Sequence, residues 1–142
     1  MDQVAGYQLW IGSVADGRNA EALHNAGILA VIDLAASESP ATLPRDLVYC
    51  RMPLVDGAGN PPWLLQEAVR LLTNLLTADV PTLVHCGAGL SRSPTIAAMA
   101  VSNLTGVTPE AAMQLVADSH RVDPSPAFWN EVRAALDAID RP

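Results

Sequence analysis

The stretch HCGAGLSRS, residues 85 to 93, ends an apolar run on a cysteine, continues through small residues and sets an arginine after five intervening positions. A thiol there could act as a nucleophile, provided it is ionised and a substrate is held over it. Gly87, Ala88 and Gly89 carry little or no side chain, so the turn can curl with its backbone N–H groups facing inward as an anion cradle. Arg92 supplies a planar fork of donors that can grip two phosphate oxygens at once. A helix opening beside it adds the positive end of its dipole. The same positive surroundings favour thiolate over thiol. A lone cysteine at a strand end is usually a small buried hydrophobe. Cys86 and Arg92 at this spacing, with His85 before and Ser93 after, form a much rarer arrangement, which points to a nucleophile aimed at phosphorus.

Such a loop needs a strand to aim it and a helix to receive it. Apolar, strand-forming runs occupy residues 7–13, 27–35, 46–54 and 81–86, with helix-like segments between them. Gly27 is a helix stop after residues 16–27. Over residues 61–78, leucines spaced by three and four line Leu64, Leu65, Ala68, Leu71, Leu72, Leu75 and Leu76 along one face. Helices over 93–106, 108–120 and 125–136 follow the cysteine, the second with Thr108 as cap and Pro109 at its first position. This order predicts an α/β three-layer sandwich, a mostly parallel central sheet of four to five strands flanked by helices. Cys86 then stands at a strand-to-helix junction, where such folds bind ligands.

The length of 142 residues fits one domain, expected over residues 1–142, and half of them are apolar. The net charge is -7, there is no lysine, and the eight arginines form no run, which argues against nucleic acid and against anionic membranes as partners. Two cysteines are too few for a disulfide scaffold, and the opening MDQVAGYQLWIG lacks the features of a secretory signal. No apolar stretch is long enough to span a bilayer. A cytoplasmic protein is expected, its oligomeric state left open with a monomer as the default.

HCGAGLSRS matches the His-Cys-x-x-Gly-x-x-Arg-Ser signature of the dual-specificity phosphatases, within the cysteine-based protein tyrosine phosphatase superfamily. LWIGSVADGRNAEALHNAGILAVIDLA resembles that family's opening strand, helix and second strand, and HRVDPSPAFW its closing proline-containing turn and helix. Ser125 and Asp33 stand where the family often has asparagine. If Asp33 points into the cradle, its carboxylate competes with substrate charge.

The resemblance implies a general acid on a mobile loop about thirty residues before the cysteine, to protonate the leaving oxygen. Asp56 in LVDGAGNPP lies there, with glycines able to hinge the loop. Asp56 could instead only start a turn; a calcium loop is excluded by the missing alternate carboxylates and terminal glutamate. Asp33 and Asp46 are the substitutes. The implied reaction is a two-step displacement through a cysteinyl-phosphate, with Cys86, Arg92, Asp56 and Ser93 catalytic. Ser93 is placed to stabilise the departing thiolate, and the backbone of Gly87, Ala88, Gly89, Leu90, Ser91 and Arg92 binds substrate. His85 is read as a structural support of the loop, and His24 and His120 as ordinary polar residues. Cys50 is read as a core residue, with a second reading as redox partner of Cys86. No metal or organic cofactor is implied.

The expected substrate is a phosphorylated protein, carrying phosphotyrosine or phosphoserine and phosphothreonine, in a shallow site. The alternatives are a phosphoinositide, RNA 5′ end or glycan phosphatase, a rhodanese-like sulfurtransferase and a non-catalytic phosphoprotein-binding domain. The absence of basic residues within GAGLS disfavours polyanions.

Overall fold

Strands β1 (Asp2–Gln3), β2 (Leu9–Gly12), β3 (Ala30–Ala35), β4 (Val48–Leu54) and β5 (Thr82–His85) form one sheet in the order β1-β2-β5-β3-β4. The computed structural model describes residues 1–140; Arg141 and Pro142, counted in the expected domain, lie outside the described residues. β1 is antiparallel to β2, and every other pairing is parallel. The two-residue β1 is too short to leave a periodic signal in the sequence.

β3 and β5 are buried at every position, as parallel strands covered on both faces require. Successive strand residues face opposite sides of the sheet, and the two strands use this to feed two cores. Ile32, Leu34 and Val84 join the larger core with helices α3 (Pro62–Thr77), α4 (Arg92–Thr105), α5 (Pro109–Ser119) and α6 (Pro126–Asp137). Val31 and Leu83 pack with Leu23 and Ile28 in a smaller cluster on the other face, beside the short helices α1 (Val14–Gly17) and α2 (Ala20–Asn25). The result is the three-layer sandwich expected. A 3-10 turn, Ala138–Asp140, ends the described chain.

The leucine stripe of α3 is largely as expected: Leu64, Leu65, Ala68, Leu72 and Leu76 are buried together with Val69, while Leu71 and Leu75 pack at its margin. Burying a leucine contributes about 1.5–3 kcal/mol, so this one face anchors α3 and the loop preceding it. Residues 16–27 depart from the single helix expected. Ser13 and Asp16 make a reciprocal capping box that starts α1 early, and Asn19 caps α2 by accepting from the Ala22 N–H at 3.1 Å. Gly27, at φ +75°, does end the segment.

Candidate active site

β5, held between β2 and β3, delivers Cys86 at its C-terminal end, and α4 begins at Arg92. The loop between them is oriented through its carbonyls. The Gly87 oxygen accepts from the Val14 N–H at 3.0 Å, the Leu90 oxygen from the Asp123 N–H at 2.7 Å and the Gly89 oxygen from His120 Nε2 at 2.6 Å. The Cys86 oxygen lies 3.3 Å from His85 Nδ1. In a trans peptide the C=O and the next N–H point in opposite directions. Tying these four carbonyls away therefore turns the N–H groups of Gly87, Ala88, Leu90 and Ser91 to the other side of the loop. Gly89, at φ +79°, is required sterically as well, because a Cβ there would lie 2.6 Å from the Gly12 carbonyl oxygen.

Cys86 is only 2% exposed, yet it opens on a cavity of about 190 Å³ lined also by Asp56, Ala88, Leu90, Ser91, Arg92 and Asp123. Its Sγ is 3.3 Å from the hydroxyl of buried Ser93. Arg92 does not turn to solvent. Its Nη1 donates to the Leu54 carbonyl at 2.8 Å and reaches the Leu34 carbonyl at 3.5 Å, so the ends of β3 and β4 hold the guanidinium beside the loop. A larger groove of about 420 Å³, lined by Gln3, Tyr7, Leu76 and Asp79 among others, has no cysteine, serine, threonine or arginine in its lining.

Asp56 reaches this cavity from a loop 35 residues upstream of Ser91, whose hydroxyl donates to Asp56 Oδ1 at 2.7 Å. The same hydroxyl accepts from the Ser125 N–H at 2.8 Å, so the upstream loop, the cysteine loop and the turn before α6 meet at one oxygen. Ser125, the residue differing from the family's usual asparagine, also caps α6. Buried Asn60 shapes the Asp56 loop: its Oδ1 accepts from the Val55 N–H at 2.8 Å, and its Nδ2 donates to the carbonyls of Val55 and Gly57 at 3.0 and 3.2 Å. Glu131 receives the Asn60 N–H at 2.7 Å and ties the loop to α6.

Neither substitute acid is near. Asp46 lines a separate groove with His24. Asp33 is 1% exposed, and strand alternation turns it to the α1 face with His85 rather than into the cradle. There it accepts from the Tyr49 hydroxyl and from the Ala35 N–H at 2.9 Å. Burial, and then the bond to Asp33, raises the Tyr49 hydroxyl above its ordinary pKa. His85 Nε2 has no hydrogen-bond partner and lies 3.8 Å from Asp33 Oδ1. Burial lowers the imidazole below its usual pKa, with the Asp33 charge opposing. A neutral ring with its proton on Nδ1, donated to the Cys86 carbonyl, fits this setting. Gly17 leaves the room for it: a Cβ there would fall 2.2 Å from Nε2.

Four contributors escaped the sequence reading. Asn60 and Asp123 serve the site as described, and Glu38 lies at its rim. A Cβ on Gly87 would sit 3.5 Å from Glu38 Oε1 and 3.2 Å from Arg92 Nη2. His120, expected to be an ordinary polar residue, holds the Gly89 carbonyl, and this corrects that expectation. The redox reading of Cys50 is corrected too. Cys50 pairs in register with Ile32 and Ile32 with Val84, so two interstrand spacings, roughly 10 Å, separate it from β5, beyond the roughly 7 Å that a disulfide spans.

The comparisons agree with this architecture. The family described as "Dual specificity phosphatase, catalytic domain" matches residues 9–137. Dual specificity protein phosphatase 1B of Arabidopsis thaliana is 30% identical over 127 residues, 88% of this chain and 75% of that protein. Dual specificity protein phosphatase 15 of Mus musculus is 29% identical over 126 residues, 87% of this chain and 53% of its own length. The crystal structure of human DUSP28 superposes with a TM-score of 0.85 at 22% identity, covering 99% of this chain and 98% of that one, which establishes the fold. The chain belongs to the dual-specificity phosphatase family, the cysteine-based protein phosphatases. It spans three quarters of the plant relative and about half of the mouse one.

Proposed function

We propose that residues 1–142 act as a single catalytic domain that hydrolyses phosphomonoesters on proteins through a cysteinyl-phosphate. Cys86 Sγ attacks phosphorus in line, an S–P bond forms as the P–O bond to the leaving group breaks, and Asp56 gives its proton to the departing oxygen. Water then attacks the cysteinyl-phosphate with Asp56 as base, and the sulfur leaves as thiolate, stabilised by the Ser93 hydroxyl. Arg92 and the N–H groups of Gly87, Ala88, Leu90 and Ser91 hold the non-bridging oxygens, with the N-terminus of α4 adding to the field. His85 supports the loop and takes no proton.

The convergence of a thiol, a guanidinium and a carboxyl on one cavity carries this reading. Its lining includes no aromatic ring among the described residues, so nothing in it selects a phenyl over an alkyl phosphate. Phosphotyrosine and phosphoserine or phosphothreonine are therefore both substrates, with the aryl ester faster because phenoxide leaves more readily. Carboxylates at the lining and rim, Asp56, Asp123 and Glu38, disfavour phosphoinositides and RNA ends, which bring extra negative charge. No described helix is long and apolar enough to cross a membrane; cytoplasmic location and a monomeric state belong to the proposal. Hydrolysis of a generic aryl phosphate tests it. Cys86→Ser should abolish turnover and Asp56→Asn should slow it most with poor leaving groups. Full activity in Cys86→Ser would remove the nucleophile.

A further inference from the structure

His120, the residue that ends α5, has a ring only 11% exposed, and both of its nitrogens are engaged. Nε2 lies 2.6 Å from the Gly89 carbonyl oxygen and Nδ1 lies 2.7 Å from Asp2 Oδ2 on β1. A carbonyl and a carboxylate only accept, and a neutral imidazole has one N–H to give. The imidazolium has two, so the observed pair of contacts is satisfied on both sides only by the protonated ring.

The bond to Gly89 matters because of what it orients. Among the described residues no other donor holds that carbonyl, and Gly89 packs so close to the Gly12 backbone that a Cβ there would lie 2.6 Å from the Gly12 oxygen. The Gly89 C=O and the Leu90 N–H belong to one peptide plane, so whatever turns the carbonyl toward His120 turns the Leu90 N–H the other way. We propose that His120 is a positioning residue for the cysteine loop: as imidazolium it ties Gly89 to Asp2 and keeps the Leu90 N–H turned into the anion cradle. Loss of the ring proton releases that hold. This rests on the loop acting as the phosphate cradle.

The charged groups around the ring are few. Asp2 faces it from β1; the Met1 ammonium next to Asp2 is paired with Asp16 at 3.3 Å. Cys86 and Arg92 belong to the loop that the ring holds. On its own segment Asp118 is bonded by Gln114, Arg121 follows in sequence, and Asp123 lines the catalytic cavity. Because both acceptors are met only when both ring nitrogens carry hydrogen, the tie is a latch that depends on that second proton.

Two substitutions separate this role from a merely structural one. His120→Arg keeps a permanent cation with donors for both acceptors. Asp2→Asn, at an exposed position, supplies an amide that can donate to Nδ1, so a neutral ring keeps its Nε2–H for Gly89. The measurement is kcat/KM for an aryl phosphate from about pH 5 to 8, each protein expressed as a ratio to His120→Arg so that any pH dependence common to both proteins cancels. The wild-type ratio should fall about ten-fold across the range, the equivalent of one charge-assisted hydrogen bond, while the Asp2→Asn ratio stays level. A level wild-type ratio, or an Asp2→Asn ratio that falls like wild type, overturns the proposal and leaves the Cys86 assignment untouched. If no variant turns over substrate, the phosphatase reading has failed instead, and NMR decides the latch alone. The Leu90 amide resonance should then move with the His120 ring titration in wild type and stay still in Asp2→Asn; a resonance indifferent to the ring refutes it.

Discussion

Asn60 separates the placement of Asp56, the proposed acid, from the rest of the site. Its side chain makes three hydrogen bonds, at 2.8, 3.0 and 3.2 Å, to the backbone on either side of Asp56, and it touches nothing in the cavity itself. Asn60→Ala removes all three. Each is worth about 0.5–1.5 kcal/mol net, and the low end applies because Val55 is exposed and water can replace the lost partners. The expected loss is about 1.5 kcal/mol of stability, or a fall in Tm of about 5 °C. The effect on catalysis should be larger and selective. A shift of about 1 Å in a catalytic group can lower the rate about 100-fold, equivalent to about 2.7 kcal/mol. That loss should appear in kcat/KM for an alkyl phosphate, whose leaving oxygen needs a proton. An aryl phosphate with an acidic phenol should slow by less than about threefold, since its phenoxide leaves with little help. In an Asp56→Asn background, Asn60→Ala should add almost nothing, because its effect runs through the acid. Equal slowing of both substrates, or additivity with Asp56→Asn, would refute the reasoning.

Three other outcomes follow from the geometry. Because burial lowers the His85 pKa below its ordinary 6.5, the unfolded chain binds the extra proton first, so stability is full above about pH 6.5 and declines as the pH falls below it; thermal melts should show this acid limb shrinking in His85→Asn. Gly89→Ala adds a Cβ 2.6 Å from a backbone oxygen at φ +79°, whereas Gly27→Ala, at φ +75°, meets nothing within 4 Å. Denaturant titration should give about 1 kcal/mol for Gly27→Ala and distinctly more for Gly89→Ala, with similar values disproving the steric argument. Glu38→Gln removes a carboxylate facing the cradle and should tighten tungstate inhibition about threefold at low salt, an effect that fades at high ionic strength.

The residues proposed to carry the chemistry could be singled out because they are close in sequence. Cys86, Ser93 and Arg92 fall within eight residues, a strand-to-helix junction constrains them all, and the structure brings them to one cavity. Asp56 was singled out through the resemblance and its position after a strand, and it lines the same cavity. What escaped was contact across long separations: His120 meets Gly89 across 31 residues and Asp2 across 118, and no local periodicity records such a meeting. Asp33 illustrates a different limit. Its strand was evident, but its face depended on register with β5, which is set by pairing between strands distant in the chain. Sheet order was invisible for the same reason.

β4 forms one border of the sheet, paired on a single side with β3. It carries exposed Arg51 and exposed Pro53; the proline has no N–H, and the Arg51 guanidinium folds back to donate to the Ala36 and Glu38 carbonyls at 3.3 and 2.9 Å. A strand from a neighbouring molecule that tried to dock there would meet, at the proline, a position with no N–H to give to a ladder. This margin of the sheet is thus made less receptive to self-association by a residue remote from the thiol.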